Sequence, residues 1–536
     1  MSRRYWRLAL LFAALSSPMP AHLHAQDDSE AAGGDTARVI VKFADGAPLV
    51  RSNLGSGMAA AAARARSLGA RLGLELRAGA TVSSLAQVVS AAGLTSAELA
   101  ERLGRQVGVA YAVPDERRWI VGAPNDPLYA AGVPGNGPAA GQWYLRAPTA
   151  EVQSSVNVEG AWAVTTGRPD VVVGVLDTGV RYDHPDLLPL ALGGNLLPGY
   201  DMTSVPEMAN DGDGRDADAS DPGDWVTREE LATRGSTFSR CATSPQDSSW
   251  HGTQVSGLIA ALTNDGIGMA GVAPDVRVLP VRVLGKCGGN DSDIIAGLRW
   301  AVGLPVPGVP ANPHPARVLN LSLGSEGSCS AAYQDAIDEV IAAGAVVVAA
   351  AGNSSGHAVG APANCSGVVA VAGLRHSGTK AGYSSLGPEV AIGAPAGNCV
   401  NTAAGSACLY PMLTTTDSGA TGPVSPTYTD SYTVSLGTSF SAPLVAGVAA
   451  LVLAAEPALG PAQVRQILQG SARPFPPAAA GGTLADCTAP QHSLTGREVD
   501  QLECRCTTAT CGAGMLDAAA AVAAAREGSL LDLGLR

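Results

Sequence analysis

Apolar runs of strand length recur along the chain: Val171 to Leu176, Val318 to Leu323, Val346 to Ala351 and Val368 to Ala372. They are continuous rather than alternating, so each predicts a strand buried on both faces, with helix-length segments between them. Strands covered on both sides predict an α/β fold: a mostly parallel, twisted sheet with helices on both faces. Two other stretches follow helical spacing. Val255, Leu258, Ile259 and Leu262 mark a buried helix whose first turn holds His251, and a strongly apolar helix runs from Ser439 to about Ala455. The N-terminal part reads differently. Arg38 to Phe43 alternates and is β-branched, which predicts a strand, and Val109 to Val113 predicts another. Between them lie an Ala/Arg/Leu stretch (59–77) and a helix from Ser96 to Arg105, opened by Thr95 with Glu98 three residues on. Residues 36–118 thus predict a small α+β unit, joined by a Pro-, Gly- and Asn-rich linker (122–141) to the larger one.

Composition narrows this. Of 536 residues, 46% are hydrophobic and 15% charged, which excludes a disordered chain. Aromatics are only 4%, so Ala, Val, Leu and Ile must build the core. The net charge of −13, without a Lys/Arg block, has the wrong sign for nucleic acid as the main partner. Arg3, Arg4 and Arg7 precede the apolar run Leu8–Leu15, with Ala21 or Ala25 as small residues for cleavage. That is the layout of a secretory signal peptide, residues 1–25, and it predicts an extracellular protein. The run is too short to span a bilayer, and no membrane anchor is expected. All ten cysteines lie between 241 and 511. In an exported chain they predict up to five disulfides; the zinc alternative has only Cys504-Arg-Cys506, without a matching second pair.

Three segments carry candidate chemistry. In Val172-Val-Gly-Val-Leu-Asp177-Thr-Gly179 a buried strand ends in an acid, at the carboxyl edge where open α/β sheets hold their ligands. In Ser249-Trp-His251-Gly-Thr an imidazole stands at a helix start. In Gly437-Thr-Ser439-Phe-Ser-Ala-Pro443 a hydroxyl stands where backbone N–H groups lack partners. Each has an ordinary structural reading, as turn Asp, solvated His or N-cap Ser. Asp, His and Ser in this order, each in a Gly-flanked turn, resemble the subtilisin-like serine peptidases (subtilases). Ala350-Ala-Gly-Asn353 and Asn320-Leu-Ser-Leu-Gly324 match two further family segments, and the likeness covers roughly residues 142–530.

The resemblance implies a secreted serine endopeptidase with protein and peptide substrates, acting as a monomer without a catalytic cofactor. Asp177, His251 and Ser439 would form the triad, and Asn353 would donate to the oxyanion. Ser322, Leu323 and Gly324 would present backbone to the substrate, Gly289 the opposite edge, and Gly324, Ala351, Gly352 and Gly360 the specificity pocket. With no carboxylate at those positions, the pocket is expected to take sizeable apolar or neutral side chains and not to select Arg or Lys. Residues 26–122 would be an inhibitory, self-removed propeptide, and 123–536 the catalytic domain with a Cys-rich segment at 487–511. Nearby cysteines are expected to pair: Cys241 with Cys287, Cys329 with Cys365, Cys399 with Cys408, and Cys487, Cys504, Cys506 and Cys511 among themselves.

Two departures stand out. Gln254 replaces a second histidine common in the family, which predicts altered local hydrogen bonding. Asp211, Asp213, Asp216, Asp218, Asp221 and Asp224 crowd six carboxylates against Arg215, so a structural calcium ion is expected there, against a solvated acidic loop. His184 is expected to be packed; His314, His357, His376 and His492 are expected on the surface. A lipase or esterase of the α/β-hydrolase type needs Ser before Asp before His, and a Gly-x-Ser-x-Gly turn; neither is present. The remaining alternative is a non-catalytic subtilase-like binding module or adhesin, for which retention of all four catalytic residues has no purpose.

Overall fold

The computed structural model describes residues 36–51, 58–115, 123–130, 140–239, 241, 244–397, 410–430, 436–477, 484–492 and 496–532. The signal peptide, the segment 116–122 and the Cys399–Cys408 pair lie outside the described residues. The chain divides into two compact units, Met1–Ile120 and Val121–Arg536.

The smaller unit has strands β1 (Thr36–Phe43), β2 (Arg77–Thr81), β3 (Ala86–Ala92) and β4 (Val109–Pro114), with helices α1 (Met58–Leu72) and α2 (Ser96–Gly104). The antiparallel sheet runs β2-β3-β1-β4. Along β1 the alternation buries Val39, Val41 and Phe43 against Leu68 of α1 and Leu99 and Leu103 of α2, while Arg38 and Lys42 face solvent. Helix α2 starts where its capping box requires: the Thr95 Oγ1 accepts from the Glu98 amide, and the Glu98 carboxylate accepts from the Thr95 amide.

The larger unit is built on seven strands: β5 (Val172–Asp177), β6 (Tyr200–Asp201), β7 (Arg277–Arg282), β8 (Val318–Leu321), β9 (Val346–Ala350), β10 (Val369–Leu374) and β11 (Val390–Pro395). Every pair is parallel and the order is β11-β10-β9-β8-β5-β7-β6. All residues of β5, β8, β9, β10 and β11 are buried, as continuous apolar runs require. The order turns at β5, which pairs with β7 on one side and β8 on the other, so its carboxyl end opens onto the crevice of the sheet. The crossing helices include α3 (His251–Ala260), α4 (Asp291–Ala301), α5 (Ala331–Ala342), α6 (Ser441–Ala455), α7 (Pro461–Gly470) and α8 (Ala518–Asp532), and a hairpin of β12 (Thr414–Asp417) and β13 (Pro426–Thr429) packs on α3.

Helix α6 is the central pillar. Ser441 to Ala454 are all buried, so the stretch from Thr438 to Ala455, apolar and long enough to cross a membrane, is 89% enclosed by protein instead. Ser439 does not open this helix, as the pattern had indicated. It sits in a 3₁₀ turn, Thr438–Phe440, because Pro443 has no N–H and is tolerated only within the first α-helical turn. Four disulfides are formed among the described residues: Cys241–Cys287, Cys329–Cys365, Cys487–Cys504 and Cys506–Cys511, as expected from chain proximity.

The packing of α6 makes one test. A Cβ on Gly447 would lie 2.7 Å from Cβ of Val272. Alanine gains about 1 kcal/mol in helix propensity, but overpacking a filled core costs about 1–3 kcal/mol. Gly447→Ala is therefore expected to lower the melting temperature, measured in an inactive background. A rise would mean that the Val272 segment yields freely.

Candidate active site

Strand β5 delivers Asp177 with no exposed surface, and α3 brings His251 to it: Nδ1 lies 2.8 Å from Asp177 Oδ1. The same oxygen accepts from the Thr178 amide at 2.8 Å. Because a buried carboxylate can only accept, Nδ1 carries the proton, which leaves Nε2 with its lone pair. The His251 turn is braced from outside. Thr178 Oγ1 donates to Asp221 at 2.6 Å and accepts from the Gly252 amide at 3.0 Å, and Asp224 accepts from Ser249 N and Oγ at 2.6 and 2.8 Å. Burial alone would lower the His251 pKa; the charge and hydrogen bond of Asp177, with Asp224 and Asp221 behind, outweigh it and raise the pKa above the usual value.

Ser439 enters from the turn before α6. Its Oγ donates to the Ser322 carbonyl at 3.1 Å, and Ser322 Oγ donates to the Ser439 carbonyl at 2.7 Å. The Ser439 hydroxyl thus rests on the β8 extension, not on His251. Asn353 follows β9. Its Oδ1 accepts from the Thr438 amide and hydroxyl at 2.9 and 3.1 Å. Amide N–H groups only donate, so the atom facing Thr438 must be oxygen, which frees the exposed Nδ2 as a donor beside Ser439.

Ser439, Thr438 and Asn353 form one end of a pocket of about 340 Å³. All six residues expected around it line it: Ser322, Leu323, Gly324, Ala351, Gly352 and Gly360. None of those positions carries a carboxylate, but the lining includes one further along the chain. Glu326, two residues past the matched segment, is the one charged lining group, and its carboxylate reaches Ser354 Oγ at 3.5 Å. Gly289 is not in the lining; it lies in the 285–290 turn, next to the Cys241–Cys287 bridge.

The six aspartates do not assemble into one ligand set. Asp211 pairs with Arg282, Asp221 with Thr178 and Asp224 with Ser249, while Asp216 and Asp218 accept from amides two residues on. Among the described residues, no three carboxylates or imidazoles bring their ligand atoms together; one such cluster exists, and it consists of disulfide cysteines. Neighbours in sequence with short side chains satisfy nearby amides first. Arg215, their supposed neutraliser, pairs with Asp293 instead, at 2.7 Å.

Gln254 is buried and donates to the Ser249 carbonyl at 2.9 Å, so it replaces the absent imidazole as a brace for the His251 turn. His184 is fully buried: it accepts from the Asp186 amide and donates to the Thr427 carbonyl, and burial pushes its pKa down to about 4. Two histidines are not free surface groups, contrary to expectation. His357 lies between Glu498 and Asp500, at 3.0 and 2.8 Å, and His376 stacks on Tyr410 with ring centroids 4.2 Å apart.

Two features had no sequence signal. Lys380 is fully buried and donates to the carbonyls of Ala381, Gly382 and Ser384, each at 2.9 Å. The loop so gathered zips onto the segment after Asn353, through Ser385 N to Gly352 O, Ser355 N to Tyr383 O and Gly356 N to Ser384 O. The other is a pair of buried carboxylates on the 263–269 turn. Asp126 accepts from the Asn264 amide and Asp186 from the Met269 amide, and Asp186 Oδ1 has no hydrogen-bond partner.

Comparison with known proteins agrees with this geometry. The family model described as Subtilase family (Peptidase S8) matches residues 168–502. An "Extracellular protease" of Xanthomonas campestris pv. campestris is 40% identical over 403 residues, 75% of this chain and 58% of the relative. An "Extracellular basic protease" of Dichelobacter nodosus is 39% identical over 351 residues, 65% of this chain and 51% of the relative. The chain thus spans about half the length of the curated relatives it matches. A solved structure titled "Proteases from Pseudoalteromonas arctica PAMC 21717" is similar with a TM-score of 0.60 and 42% identity, over 75% of this chain and all of that one.

The aspartates behind His251 predict a titration. His251 should titrate above the ordinary value of ~6.5, and Asp224→Asn, which removes one supporting charge, should move the midpoint down. NMR of labelled histidine in the Ser439→Ala protein measures both. A midpoint unmoved by Asp224→Asn would remove Asp224 from the electrostatics of the site.

Proposed function

The chain belongs to the subtilase family, and we propose that it is a secreted serine endopeptidase, made with a propeptide and acting as a monomer on protein and peptide substrates. The observation that carries this reading is the buried Asp177–His251 bond beside Ser439, with a free Asn353 donor at the mouth of the same pocket.

A substrate strand lies along Ser322, Leu323 and Gly324, with its side chain in the pocket. Substrate displaces the Ser439 hydroxyl from the Ser322 carbonyl toward His251 Nε2. Oγ attacks the peptide carbonyl as Nε2 takes its proton, and the imidazolium is stabilised by Asp177, which keeps its own charge. The oxyanion accepts from Asn353 Nδ2 and from the Ser439 N–H. His251 then gives its proton to the leaving amine, and water repeats the sequence on the acyl-enzyme. Each proton passes through His251, between Ser439 or water and the leaving group, so these steps use no metal.

The unit within residues 26–122 is assigned as the propeptide, removed by the enzyme's own triad. Ser439→Ala expressed in a protease-free host should accumulate as a folded protein that keeps this unit, and should resist labelling by a serine-directed phosphonate. Normal-length product would assign the cleavage to another protease. Asn353→Ala should leave labelling possible but lower kcat by about 10²–10³. An unchanged kcat would remove the oxyanion role.

A structural calcium ion is best served by Asp126 and Asp186, not by the acidic run. Two buried carboxylates on one turn, one with an orphaned oxygen, are what a hard cation neutralises. Bound there it would tie the linker residue Asp126 to the turn that follows α3. A chelator should lower the melting temperature, with calcium restoring it. At a hundredfold excess over Kd such binding is worth ~2.7 kcal/mol. Asp186→Asn should abolish the response and Asp216→Asn should keep it; the reverse pattern would return the ion to the acidic run.

A further inference from the structure

We propose that Glu326 is a specificity-determining residue, which makes the pocket select substrates carrying lysine or arginine on the carbonyl side of the cleaved bond. The inference deepens the peptidase reading and rests on it.

The segment 322–326 runs along one wall of the pocket. At its start, Ser322 exchanges hydrogen bonds with Ser439. Four residues on, the chain has left the nucleophile by as much as ~13 Å if fully extended. There Ser325 pairs antiparallel with Ala361, its amide 2.9 Å from the Ala361 carbonyl. Gly360 allows this approach: a Cβ on it would lie 2.1 Å from the Ser325 carbonyl oxygen and 3.5 Å from the Glu326 Cα. The Glu326 backbone therefore lies close to Gly360, and Glu326, Gly360 and Ala361 all line the pocket. Its carboxylate accepts from the hydroxyl of Ser354, the residue after Asn353, at 3.5 Å.

Glu326 is exposed, so water screens its charge, but no cationic group among the described residues neutralises it. Among the described residues Glu326 makes no ion pair, and no other lining residue is ionisable. His357, three residues past Ser354, already lies between Glu498 and Asp500. The rest of the pocket is short-chained: Gly324, Ala351, Ala358 and Ala361 leave its length open. A side chain long enough to run that length, apolar in its stem and cationic at its tip, matches walls and end together. Lysine and arginine have this form. Norleucine has the stem without the charge, which makes it the proper control.

The experiment compares kcat/KM for peptides identical except for Lys, Arg, norleucine, Gln or Glu at the carbonyl-side position, using the mature protein. The same peptides are titrated onto the Ser439→Ala protein by calorimetry. Glu326→Gln is expected to lower the Lys-to-norleucine ratio about threefold to tenfold, the range for a partly solvated charge pair. Glu326→Lys is expected to lower it further and to raise the preference for Glu over Gln. The wild-type ratio should fall as salt increases from about 0.05 to 0.5 M, since the pocket end is open to solvent. A ratio that moves less than twofold in both variants would overturn the proposal and leave Glu326 a solvated rim residue. Robust cleavage with a flat ratio sinks the specificity role alone. An affinity ratio that follows Glu326 without any cleavage upholds the role and sinks the peptidase reading.

Discussion

Burying the Asp177 carboxylate costs several kcal/mol unless donors replace its lost water. The two donors that do so, the Thr178 amide and His251 Nδ1, come from opposite sides of a long insertion. Much of the local backbone exists to let them meet. Gly179 turns the chain at φ 98°, where a side chain is strained, and its carbonyl lies so near Gly252 that a Cβ there would be 2.1 Å away. A side chain on Gly252 would push α3 from β5 and draw His251 away from the carboxylate, and one on Gly179 would meet the Ala219 carbonyl at 2.6 Å. The insertion between them is therefore part of the site: it returns Asp221 to Thr178 and Asp224 to Ser249, and so clamps both ends of the bond it separates in sequence.

The pocket depends on a different kind of restraint. Its walls are irregular segments without the ladder bonds that hold a strand, so they need outside supports. Cys329–Cys365 closes one border, and removal of such a bridge typically costs about 2–5 kcal/mol. Lys380 gathers the loop behind Gly352 and Ser354, and Gln501, three residues before the Cys504 bridge, donates its amide to the Ser355 carbonyl at 2.6 Å. The Cys-rich C-terminal segment thus reaches the loop that carries Asn353. A wall held from three directions keeps the Asn353 carboxamide against Thr438, where it needs no reorganisation when charge develops.

Much of this was legible in the residues. Continuous apolar runs gave the buried parallel strands, because a strand covered on both faces has no polar side to display. The Thr95–Glu98 box marked α2 correctly, since capping is local chemistry. Helix α6 was found, but its start was misplaced by two residues: the apolar pattern cannot distinguish a 3₁₀ turn from the first α turn, and Pro443 was the available clue. Long-range burial left no such trace. Lys380 reads as an ordinary surface lysine until three carbonyls are seen around it. Asp126 and Asp186 are sixty residues apart and only the fold makes them neighbours.

The acidic run and the lone Glu326 differ in what surrounds each carboxylate. Carboxylates close in sequence repel, and the cheapest relief is to turn each toward the nearest amide or cation, which is what Asp211, Asp216, Asp218, Asp221 and Asp224 do. A charge count over a window therefore says little about a binding site. A single carboxylate decides more when no amide or cation of the protein is turned toward it. Glu326 has one weak hydroxyl contact and walls of glycine and alanine, groups with no charge and little bulk. The field inside such a pocket is set by its one ionised group, and the shape leaves length as the other criterion a side chain must meet. Selectivity in this pocket is then a property of one residue acting across a cavity, not of the motif positions that form its walls.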